Sequence, residues 1–161
     1  MLRADVTTNP GPHLFWISSR AAGSVSLVFS SLAVSLGLTM SGRLLKRSNG
    51  DLRAVHEALS IAALIALAVH AVALLGDGYL RPTVFDITVP FASSYKMLWT
   101  TLGIVSGWGL LALGLSYYWR AQIGVARWRL LHRFTALAWI GGLLLVAIPV
   151  AITRYRHTTR T

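Results

Sequence analysis

Four stretches of the 161-residue chain contain no Asp, Glu, Lys or Arg: residues 21–42, 58–76, 97–119 and 134–153, which are 22, 19, 23 and 20 residues long. A helix needs about 20 apolar residues to cross roughly 30 Å of hydrocarbon. Each stretch therefore predicts one membrane-spanning helix, with flanking residues extending the spans to about 14–41, 52–77, 93–118 and 129–152. A soluble helical bundle would need a charged outer face on each helix, and these runs supply none. The expected fold is all-α: a polytopic transmembrane four-helix bundle, a single domain over 1–161.

The polar punctuation sets the ends. Ser48-Asn49-Gly50-Asp51 and Gly76-Asp77-Gly78 are turn-like and bound the second span, with Asp51 as its expected N-cap. The first span is too long and too late in the chain for a signal peptide and is read as retained. Arg20 lies inside it, placed to snorkel or to contact a cofactor. In the third, the four-residue spacing of Gly103 and Gly107 predicts close helix packing, and Tyr117-Tyr118-Trp119-Arg120 marks an interface. Pro149 predicts a kink or termination late in the fourth, followed by a basic tail over 154–161. Residues 79–95 are expected as an external loop or a re-entrant lip.

Composition narrows the chemistry. The chain is 55% hydrophobic and 12% charged, with a mean hydropathy of +0.61. It has no cysteine, which excludes disulfides, thiolate zinc, iron–sulfur clusters and covalently attached c-type haem. No Gly-rich dinucleotide or nucleoside-triphosphate motif is present, so no flavin or nicotinamide domain is expected in these residues. The net charge of +10 would suggest nucleic acid in a soluble protein; here anionic headgroups and cofactor carboxylates are the expected partners, with no nucleic acid. The first loop holds Arg43, Lys46, Arg47 and Arg53 and the third Arg120, Arg127, Arg129 and Arg133, whereas the second holds Arg81 and Lys96. The positive-inside rule then puts loops one and three in the cytoplasm and both termini outside.

The histidines carry the candidate chemistry. His56 and His70 are fourteen residues apart on the second span, about 3.9 turns, so both imidazoles point nearly the same way some 21 Å apart. His132 opens the fourth span, which runs parallel to the second, at the depth of His56. Facing imidazoles with no Cys, Met or carboxylate between them suit a b-type haem with nitrogen at both axial positions. Arg53, Arg129 and Arg133 lie within about a turn of His56 or His132, where haem propionates would emerge. Glu57 is placed to pair with one of those arginines or to orient a ligand. The competing role for the same histidines is hydrogen bonding between helices. Zinc would require a compact tetrahedral cluster.

Val55 to Ser60 with His70, the segment Val89 to Trp99, and Arg127-Trp128-Arg129-Leu130-Leu131-His132-Arg133 resemble the ferric reductase-like transmembrane domain of bacterial integral membrane proteins, as does Ser19-Arg20-Ala21-Ala22-Gly23. The resemblance covers about residues 14–146. It implies a bacterial inner-membrane location and two stacked haems held by paired histidines, three of which match His56, His70 and His132. The fourth position falls at Val146, and valine cannot coordinate iron. The resemblance thus implies one intact inner b haem on His56 and His132, with His70 kept for packing or hydrogen bonding. The alternative is a second haem on His70 with His13 or another subunit's residue opposite, or with an open iron position.

The expected function is one-electron transfer by a membrane haem-b protein, fed by a separate electron-donor protein or a quinol. Ferric or cupric ion, or oxygen, would be its acceptor. The alternatives are a non-catalytic structural or assembly subunit of a larger membrane complex or homo-oligomer, and a small-molecule or ion transporter.

Overall fold

The computed structural model describes residues 14–42, 50–78 and 80–158, without the side chains of residues 153, 154, 157 and 158. His13, the Arg43–Lys46–Arg47 part of the first loop and the His157 side chain lie outside the described residues. The elements are α1 (Leu14–Ser41), α2 (Gly50–Leu75), a short α3 (Val84–Thr88), α4 (Met97–Leu115), a 3-10 turn (Ser116–Trp119), α5 (Arg120–Ile123), α6 (Val125–His132) and α7 (Thr135–Thr158). Among the described residues, four stretches are long and apolar enough to cross a membrane: Leu14–Ser41, Gly50–Leu75, Met97–Ile123 and Val125–Ile152. Helix is the natural conformation for them, because in hydrocarbon each N–H and C=O must find its partner within the segment. Large apolar side chains such as Leu32, Ile65, Val72 and Leu98 face outward, as lipid contact requires.

The first two helices form an antiparallel pair with a regular register. Ser19 meets His70, Ser26 Oγ donates to the Ala63 carbonyl at 2.9 Å, and Ala33 meets His56. These three crossings are seven residues apart on each helix. Ser19, Ser26, Ala33 and Ala63 are buried along this seam. Small side chains let two helices approach where lipid gives no hydrophobic drive for association.

The other two long helices, α4 and α7, form the second pair. Their tightest approaches are Gly109 against Ala138, where an added Cβ would lie 2.9 Å from the alanine methyl, and Gly141 against Ser106 Oγ. The close packing expected from Gly103 and Gly107 is thus displaced: Gly103 faces Leu145 of α7, whereas Gly107 faces Leu67 of α2. The pairs join through Trp139, whose Nε1–H donates to Ser31 Oγ at 3.0 Å, and through Leu64 and Leu67 against the glycines of α4. Hence α1 neighbours α7 and α2 neighbours α4, and α2 and α7 stand diagonally across the bundle.

Several ends differ from the sequence expectation for physical reasons. Asp51 lies inside the first turn of α2 rather than at its cap, because the helix already begins at Gly50; there its carboxylate still faces the positive end of the helix dipole. α4 begins at Met97 rather than near 93, because Lys96 is left-handed with φ 42° and cannot continue a helix. Gly124, at φ +89°, separates α5 from α6 in a conformation that glycine adopts without a Cβ penalty. Pro149 does not end α7, which continues to Thr158 and takes in residues expected as tail. The fourth span is broken instead at Arg133–Phe134, where the N–H groups of both bond three residues back, to Leu130 and Leu131.

The segment after α2 folds against α4. Thr83 caps α3 reciprocally with Asp86, accepting from its N–H while the Asp86 carboxylate accepts from the Thr83 N–H at 2.8 Å and hydroxyl at 2.7 Å. Those bonds hold the exposed Asp86 carboxyl below its ordinary pKa. Trp108 Nε1 donates to the Thr88 carbonyl at 2.8 Å, and the Phe91 N–H donates to Thr101 Oγ1 at 2.9 Å.

Candidate functional site

Three histidines face backbone carbonyls with the same ring nitrogen. His56 Nδ1 lies 2.9 Å from the Ala33 carbonyl, His70 Nδ1 lies 2.7 Å from the Ser19 carbonyl, and His132 Nδ1 lies 3.3 Å from the Leu113 carbonyl. A carbonyl only accepts, so Nδ1 carries the proton in each bond and Nε2 is left as the lone-pair donor. This is the arrangement in which a histidine acts as a metal ligand while the peptide backbone fixes its tautomer and ring direction.

The two histidines of α2 sit in matching seats built by α1. The carbonyls that receive them are fourteen residues apart, as are the histidines. One turn after each carbonyl stands a glycine: a Cβ on Gly37 would lie 3.1 Å from His56 Cε1, and one on Gly23 would lie 3.0 Å from His70 Nδ1. The His70 seat has an extra polar wall, since Ser19 Oγ lies 2.9 Å from Nδ1 and donates to the His70 carbonyl at 3.2 Å.

Across the bundle, His132 approaches His56. The ring centroids are 6.3 Å apart and the planes are inclined by 83°. Trp128, one turn earlier on α6, stacks on His132 at 5.0 Å and 26°. Beside the pair is a small cavity of about 50 Å³, lined by small and hydroxyl side chains including Ser26, Ser30, Ser60 and Gly114 and reaching Leu67. Thr135 also lines it, and its buried Oγ1 has no hydrogen-bond partner among the described residues. His70 is not part of this lining. No three His, Asp or Glu side chains come together as a metal cluster among the described residues.

The charged candidates are placed as follows. Arg53, Arg129 and Arg133 are exposed at the His56–His132 end, with Arg129 Nε donating to its own helix at Val125. Arg20 is exposed with its guanidinium 4.7 Å from the Trp16 ring centroid. Glu57 accepts from the Tyr118 hydroxyl at 3.5 Å, so it is the Ala33 carbonyl, not Glu57, that orients His56. Val146 is on α7, 51% exposed.

Sequence reasoning found the histidines but missed their seats. Gly23 and Gly37 repeat at the same interval as His56 and His70, and that shared period was the available signal. The Leu113 carbonyl and Ser116 had none, because their part depends on where α4 ends.

Residues 22–143 match the family described as the ferric reductase like transmembrane component. No curated protein and no solved structure matches the chain. The match spans both helix pairs and includes His56, His70 and His132, so the chain belongs to the ferric reductase-like transmembrane family.

Proposed function

We propose that this chain is a membrane haem-b protein that carries single electrons, and that His56 and His132 would hold the haem iron. The observation that carries the reading is the facing pair itself. Two imidazoles could share one metal group only where their rings approach closely and each keeps a nitrogen free to donate. The separation in this protein is 6.3 Å, and both Nδ1 atoms are already committed to carbonyls. Beside the pair, the buried Thr135 hydroxyl, without a partner among the described residues, adds a polar group for an occupant to meet.

Haem bound here would supply one Fe(III)/Fe(II) couple, adjusted by bis-imidazole ligation and a low-dielectric setting. The protein's own groups have simpler tasks. Ala33 and Leu113 hold the imidazole protons, Gly37 leaves room for the His56 ring, and Arg53, Arg129 and Arg133 offer positive charge for propionates. The charge count supports a cytoplasmic face for this end, in a bacterial inner membrane. Electrons would come from a separate donor protein or a quinol and leave to a ferric or cupric ion, or to oxygen. His70 is read as an interhelical hydrogen-bonding residue.

The test is the absorption spectrum of protein purified after haem-replete expression, air-oxidised and then dithionite-reduced, with haem counted per chain. Sharp reduced bands at one haem per chain are expected, lost in both His56→Ala and His132→Ala. Absence of a Soret band would overturn the reading and favour a haem-free assembly subunit.

A further inference from the structure

We propose that Trp128 is a positioning residue for His132, acting by stacking on its ring and through a hydrogen-bond chain that ends on the same Leu113 carbonyl; the proposal rests on the haem reading above. The two ligands of that reading are not held alike. His56 sits mid-helix, gripped along the α1–α2 register, with a 2.9 Å bond to Ala33. His132 is the last residue of α6, directly before the break at Arg133–Phe134, and its bond to Leu113 is 3.3 Å. A histidine at a helix end with a long hydrogen bond needs a second restraint if its ring plane is to be fixed.

Trp128 provides that restraint. Residues four apart on a helix lie one above the other, and the indole stacks on the imidazole at 5.0 Å and 26°. Trp128 Nε1–H donates to Ser116 Oγ at 3.1 Å, and the Ser116 hydroxyl donates to the Leu113 carbonyl at 2.5 Å. That same carbonyl receives His132 Nδ1. Both side chains of α6 are therefore tied to one acceptor at the end of α4, His132 directly and Trp128 through the serine. That carbonyl lies in the last turn of α4, where the helix passes into a 3-10 turn. The indole also meets Tyr117 in an inclined contact at 5.9 Å and 65°, and Tyr117 is covered by the Arg120 guanidinium at 3.9 Å. The indole thus packs against both His132 and Tyr117, and the docking of α6 on the end of α4 holds His132 in its 83° arrangement with His56.

The experiment uses the full chain loaded with haem and compares Trp128→Leu, Trp128→Phe and Ser116→Ala with the wild type. Ferric electron paramagnetic resonance reports spin state and the relative orientation of the ligand planes, and carbon monoxide reports an opened axial position in the reduced protein. Trp128→Leu is expected to retain haem through His56, with affinity lowered on the order of tenfold, a high-spin fraction and new carbon monoxide binding. Trp128→Phe keeps a stacked ring but loses the donor to Ser116, so it should stay mainly low-spin with a shifted resonance, and Ser116→Ala should match it. Should Trp128→Leu fail to fold, the two milder variants decide. A low-spin wild type whose folded variants keep its resonance and its inertness to carbon monoxide would overturn the proposal alone. A wild type without haem would overturn both it and the haem reading.

Discussion

The His56 and His70 seats share one wall and differ in the other. On the α1 side they repeat: a carbonyl for Nδ1, a glycine one turn later, and the same fourteen-residue step on both helices. On the far side His56 meets His132 across the bundle, while the corresponding step from His132 along the chain arrives at Val146. The His70 seat is instead reinforced locally by the Ser19 hydroxyl. The difference teaches that a well-oriented membrane histidine is only half of a binding site. The first helix pair orients both rings, and what stands opposite decides what each can hold.

The largest effect that would test this contrast is removal of the rings. His56→Ala should reduce haem from near one per chain to near zero, while His70→Ala leaves the count unchanged; a drop from two haems to one in His70→Ala would break the contrast. Filling the glycines comes next. Gly37→Val pushes against His56 and should weaken haem binding by about 10–100-fold, as for other groups that orient a ligand, whereas Gly23→Val pushes against His70 and should leave affinity unchanged. Titration of apoprotein with haemin reads both.

A smaller effect concerns stability. Losing the His70–Ser19 bonds should cost about 0.6 kcal/mol per bond, measured by unfolding in mixed detergent, since the two chains find other partners in the unfolded membrane state. The smallest is confined to the His70 end. Asp86 has a lowered carboxyl pKa in the folded protein, so the α3 cap contributes stability above the ordinary carboxylate pKa and loses it as pH falls through the lower folded value. Trp108, bonded to Thr88, should change fluorescence below about pH 4 while the haem spectrum stays constant, and Asp86→Asn should remove that transition.

The four apolar helices and three of the histidines were legible in the sequence because bilayer thickness and ring polarity act on individual residues. The charge gaps at 21–42 and 97–119 marked most of α1 and all of α4. The break after His132 could not, since Leu130 to Ala136 contains neither proline nor glycine to announce it. Pro149 pointed to an interruption in the wrong place, because a membrane helix accommodates proline where other groups satisfy the freed carbonyl. The carbonyl partners were invisible for a different reason: every residue has a carbonyl, and only the antiparallel register selects Ala33 and Ser19. Glu57 could pair with an arginine or orient a ligand by its position in the sequence; in the fold it accepts from Tyr118, and successive residues of a helix do not share a face.

The seven-residue register of α1 on α2 also bears on biogenesis. Both helices are consecutive in the chain, so their hairpin can be inserted and zipped while the second pair is still being synthesised. The rings of His56 and His70 would then be pointed in advance of any counterpart, and the nascent protein would wait half-assembled until α6 arrives. If the pair holds haem, arrival of His132 would act as a proofreading step, since only a chain whose later half has docked correctly could close around it.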